Sequence, residues 1–159
     1  MFSIRLVQLI EAHADELSQG LMQRLETSAQ CRDLLRKVPA DELKRRAQEI
    51  YRNLSDWLLT KTDSEIEERY VGLGIRRARQ GVPFSQFLGA IAITKEHLWE
   101  HLEREGLLEG PVELLGEMDL LHTLDRFFDR ALYFAALGYE SAKVNAPAHK
   151  AGTQAAVLR

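Results

Sequence analysis

YVGLGIRRARQGVPFSQFLGAIAITKEHLWEHL, Tyr70 to Leu102, holds two helical patterns joined by a Gly-Val-Pro turn. Before the turn, Ile66, Tyr70, Leu73 and Ala78 recur at helical steps, and Gly81 supplies the left-handed residue that commonly ends a helix. After it, Pro83 suits a first helical turn, where its missing N–H costs nothing. Phe84, Phe87, Leu88, Ile91, Leu98 and Leu102 then line one face as far as Gly106. So short a link folds the second helix back beside the first.

The same period extends to both sides. Ile4, Val7, Ile10, Ala14, Leu17, Leu21 and Leu25 recur at steps of three and four, which predicts one helix from Ser3 to about Ala29. Cys31 to Val38 reads as a short helical turn or connector ended by Pro39, which pushes the preceding residue out of helical angles. Asp41 to Thr60 reads as a second amphipathic helix, and Thr62 with Glu65 stands in capping-box register before the third. A loop around Glu109, Gly110 and Pro111 precedes a final helix with Leu114, Met118, Leu121, Phe128, Leu132, Ala135 and Tyr139 inward. No strand-like alternation occurs. The fold class is all-α, a compact bundle of five to six helices over residues 1–143, with residues 144–159 as flexible tail or linker.

Length and composition fit one globular core: 159 residues, 45% hydrophobic and 28% charged. A formal net charge of −3, with both signs mixed along the helices, argues against nucleic acid, which needs a basic face. The longest apolar run, Phe87 to Ile93, is far short of the roughly 20 residues of a membrane span, and the N-terminus lacks a signal-peptide pattern, so the expected location is the cytoplasm. The single cysteine, Cys31, excludes an intramolecular disulfide.

Gly74, Arg77, Ala78, Gly81, Val82, Pro83, Leu98 and Trp99, together with FFDRALYFAALGYE from Phe127 to Glu140, resemble the RsbRD-type N-terminal domain, an all-helical input module of stressosome-like bacterial signalling. The resemblance implies a sensory or regulatory domain that passes a stimulus to a partner or fused output domain through helix or dimer rearrangement. By analogy it also brings in globin-like helix angles without heme, and a fatty acid held between the helices. The chain reads either as a free-standing regulator or as an excised N-terminal part of a longer protein.

Four sets of residues are candidates for function. Phe87, Ile91, Trp99 and Phe128 would line a pocket for an apolar small molecule. Arg76, Arg77 and Arg79 suit the negative end of a helix dipole, and are also the candidate anion or partner patch. Phe127, Leu132, Tyr133 and Phe134 lie at several angles around the last helix, which predicts a homodimer through it. His97-Leu-Trp-Glu100-His101 matches the inverted zinc-peptidase pattern, with Glu100 as base, but lacks a third ligand nearby; two rim histidines are the simpler reading. His13, His97, His101 and His122 are the possible proximal heme ligands, none singled out by its surroundings. No serine lies in a nucleophile elbow. The expected protein is a regulator with no cofactor and no turnover.

Overall fold

The first predicted helix is interrupted at His13. In the computed structural model, which describes residues 4–105 and 111–145, the His13 imidazole donates from Nδ1 to the Leu9 carbonyl at 2.8 Å, beside the backbone bond from His13 N to the same oxygen. His13 itself leaves helical angles, at φ −103° and ψ 19°. Helix α1 (Ile4–Ala12) therefore ends there and α2 (Ala14–Thr27) begins a new segment. After a 3-10 turn at Ala29–Cys31 comes α3 (Arg32–Lys37), and Val38 is extended before Pro39. Gln86, fifty residues on in sequence, caps α3: its Oε1 accepts from the backbone N–H groups of Asp33 and Leu34 at 2.8 and 3.0 Å.

The second predicted helix is also shorter than its apolar period suggested. Helix α4 (Ala40–Arg52) stops where the Asn53 side-chain amide donates to the Glu49 carbonyl at 3.0 Å, and Asp56–Thr60 form a wider π-turn closed by Lys61 N–H on the Asp56 carbonyl. Thr62 and Glu65 then form a complete capping box for α5 (Asp63–Arg79). Gly81 has φ +76°, as the predicted turn requires, and α6 (Phe84–Glu105) and α7 (Pro111–Asn145) follow. The described residues thus form an all-α bundle of seven α-helices and two short turns of other pitch, more pieces than the predicted five or six helices, because the first predicted helix divides at His13, the segment before Pro39 forms α3, and the second ends at Asn53 ahead of the π-turn. The loop around Glu109 and Gly110 and nearly all of the expected tail lie outside the described residues. So does the Leu114 side chain, and Met118, expected inward, is exposed.

Helix α5 and helix α7 make the closest crossing. Asp63 pairs with Arg130 and Val71 abuts Gly138, so the two helices run the same way. Helix α6 returns along α7 and packs against α2, with Lys95 paired to Asp125 and Phe87 stacked on Tyr139. Tyr139 also donates its hydroxyl to the Val82 carbonyl, pinning the Gly81 turn onto α7. The core collects Ile10, Leu34, Tyr51, Leu54, Leu98, Leu120 and Leu124, all essentially without exposure.

At Gly74 an added Cβ would lie 2.0 Å from the Ala135 carbonyl oxygen, and at Gly138 it would lie 2.1 Å from the Val71 carbonyl oxygen. Both contacts are to backbone, which cannot rotate away. Gly72, by contrast, faces open space. Gly74→Ala and Gly138→Ala are each expected to lose about 3 kcal/mol, the upper end of overpacking costs. Gly72→Ala should gain about 0.5–1 kcal/mol from helix propensity. Denaturant unfolding of the three variants measures both.

Candidate functional site

Two structural features converge on Arg77. The last turn of α5 carries Arg76, Arg77 and Arg79, and the first turn of α4 carries Glu42. Arg77 is 3% exposed and Glu42 5%; Arg77 Nη1 donates to Glu42 Oε1 at 2.9 Å and to Gln80 Oε1 at 2.7 Å. Arg76 approaches the same carboxylate from the rim, with Nη2 to Oε2 at 3.0 Å, and Gln80 Nε2 adds a bond at 3.3 Å. Hydrogen bonds from Arg76 and then Arg77 hold the Glu42 carboxyl down at about 2, despite burial. Burial is also the main influence on Arg77, pushing its guanidinium down from its usual value while Glu42 pulls it back. Of the candidate patch, therefore, Arg77 is consumed by a buried ion pair, Arg76 half covers it, and only Arg79 stays outside.

The stem of Arg77 also borders an apolar cavity of about 100 Å³ lined by residues of α2 to α7. Phe87, Ile91 and Phe128 line it, with Tyr70 and Leu73 of α5. Trp99, five residues beyond Thr94, does not line it and is half-buried. Pockets for drug-sized ligands measure about 300–1,000 Å³. A heme or a long fatty acid therefore does not fit this packing of the helices.

The HLWEH stretch closes the seam between α6 and α2. His97 Nε2–H donates to the Leu17 carbonyl at 3.1 Å, and its ring rests on Gly20, where an added Cβ would come within 3.0 Å of it. Burial moves the His97 imidazole below its ordinary pKa. Glu100 accepts both arms of the Arg24 guanidinium at 2.7 and 2.9 Å, and the His101 ring lies 5.7 Å from that of His13. The spacing that resembles a zinc motif is thus spent on docking one helix to another. Among the described residues no group of three or more His, Cys, Asp or Glu side chains is arranged to hold a metal ion. Of the remaining heme candidates, His13 serves the α1–α2 break and His122 is exposed on α7.

The residues expected at a dimer contact divide. Phe127 turns inward, its ring 5.9 Å from Tyr70 and 6.1 Å from Trp57, because the π-turn places Trp57 over α7. Leu132 and Phe134 are half-buried, and Tyr133 is 59% exposed. Leu137 and Val144, which the sequence reading did not single out, are exposed on the same side of α7 as Tyr133, four and eleven residues on. No helix among the described residues is long and apolar enough to cross a membrane.

Residues 9–146 match the family model described as the RsbT co-antagonist protein rsbRD N-terminal domain. No curated protein and no solved structure gives a match.

Because Glu42 is depressed from 4.5 to about 2, the folded chain binds fewer protons than the unfolded one in that interval. Its contribution is complete above pH 4.5 and is lost as pH falls toward 2. Glu42→Ala is expected to cost about 3–5 kcal/mol at neutral pH by stranding a buried guanidinium. Its stability should also fall less steeply between those pH values than that of the parent, as urea unfolding across pH will show.

Proposed function

The chain belongs to the RsbRD N-terminal domain family of regulatory signal-input domains, and on that premise we propose that it works by protein contact rather than by turnover. The observation that carries this reading is the outer face of α7, where Tyr133, Leu137 and Val144 stay exposed although Leu120, Leu124, Ala131 and Ala135 on its other side are buried. An apolar stripe of this kind is suited to a second copy of the chain. The partner of such a dimer is a signalling protein or a fused output domain, acting in the cytoplasm. The stimulus moves the dimer between two helix arrangements, and any ligand biases them only through its differential affinity.

A second reading, a sensor of an apolar small molecule, is favoured by the cavity that Phe87, Ile91 and Phe128 share with Arg77. At about 100 Å³ it admits a compact apolar molecule. A larger one, a fatty acid or heme, enters only if the helices separate, and that separation would itself be the signal.

Native mass spectrometry separates these readings. The parent chain is expected as a dimer with no retained mass, and Tyr133→Glu with Leu137→Glu as a monomer with unchanged helix content. Losing two apolar contacts of about 1.5 kcal/mol each raises the dimer Kd by at least about a hundredfold. A monomeric parent, or a double variant that dimerises normally, removes α7 from the interface; a retained small molecule selects the sensor.

A further inference from the structure

The π-turn at Asp56–Thr60 opens a second pocket, of about 260 Å³, against the start of α5 and the middle of α7. Its floor is aromatic: Trp57 and Phe127 are each buried and face one another at 6.1 Å. Its rim is cationic, formed by Lys61, Arg126 and Arg130, against one carboxylate, Asp63. A local excess of two positive charges stands out on a chain whose net charge is −3.

The three cations are engaged to different degrees. Arg130 pairs with Asp63, which is 73% exposed, and so exposed a pair is worth little. Lys61 Nζ lies over the Trp57 ring at 5.7 Å. Arg126 is exposed, and no ion pair joins it to a carboxylate among the described residues. Arg126 thus faces no carboxylate, Lys61 acts on the nearby Glu65 carboxylate as well as lying over Trp57, and Arg130 can share its guanidinium. Guanidinium forks match the oxygens of a phosphate in bidentate geometry, and a lysine adds a point charge.

We propose that this pocket binds a small phosphate monoester whose dianionic head is held by Lys61, Arg126 and Arg130 and whose compact apolar or aromatic body covers Trp57 and Phe127. The volume exceeds that of a bare phosphate and leaves room for the body. The site is separate from the Arg77 cavity and from the outer face of α7. It stands or falls independently of the dimer reading.

Phenyl phosphate is the probe, with inorganic phosphate and phenol as its two halves. Calorimetry on the full chain is paired with NMR of the indole N–H signals of Trp57 and Trp99, the two tryptophans of the sequence. Saturable binding that shifts the Trp57 signal and leaves Trp99 in place is expected. Each half should bind at least tenfold more weakly than phenyl phosphate, and Lys61→Ala and Arg126→Ala should each lose about tenfold, 1.4 kcal/mol. Both side chains reach the solvent-facing rim, so the variants retain the parental circular dichroism. The proposal is overturned by no saturable binding up to about 10 mM, or by variants that bind like the parent. Inorganic phosphate binding as tightly as phenyl phosphate would likewise overturn it, since the aromatic floor would then contribute nothing.

Discussion

The bundle depends on how closely two backbones approach. Gly74 on α5 and Gly138 on α7 leave no room for even one methyl group, because each faces a peptide carbonyl of the other helix. With the two axes this near, the residues on either side fall into place: Tyr70 meets Phe127 at one end, and Tyr139 reaches the Val82 carbonyl at the other. The Gly81 turn is thereby held against α7, and α6 returns along α7 with its other side against α2. Small residues at a crossing matter through the contacts they permit to their neighbours more than through any contact of their own.

Much of this was legible in the chain because it is local. The Thr62–Glu65 capping box, the positive φ of Gly81 and the start of α6 after Pro83 all depend on residues within a few positions of one another. What escaped the reading is long-range or competitive. The apolar period runs unbroken through His13 and Asn53, yet both residues leave helical angles and their side chains bond to carbonyls four residues back. Periodicity records which face is buried, and that face continues across a break. Glu42 and Arg77 are 35 residues apart, and Gln86 caps a helix 53 residues earlier. No spacing rule links such pairs.

The candidate sites were legible to the same degree. Phe87, Ile91 and Phe128 come together because all three lie on inward faces, and periodicity identifies inward faces. Trp99 fails the same test because an aromatic residue on a long helix has several places to be half-buried. The HLWEH stretch shows the converse. Two histidines and a glutamate one turn apart satisfy a metal pattern on paper, and a helix seam uses the same geometry to reach Leu17, Arg24 and His13. What distinguishes the two uses is what the neighbouring helix presents, which only the fold reveals.

Arg77 is where packing and signalling can be connected. Its guanidinium is committed to Glu42 at the start of α4, while its stem walls the apolar cavity shared by α2 to α7. A buried pair of this kind contributes modestly to net stability, yet breaking it is costly because a desolvated charge is left alone. It therefore tolerates few intermediate positions. If α4 shifts against α5, the pair either follows as a unit or leaves the carboxylate and the guanidinium each without its buried partner. α7 is locked to α5 at Gly74 and Gly138, so a displacement of α5 is carried to α7 and to the exposed Tyr133 and Leu137 on its far side. On the proposed dimer reading, a change at the α4–α5 contact would reach that surface through α5 and α7.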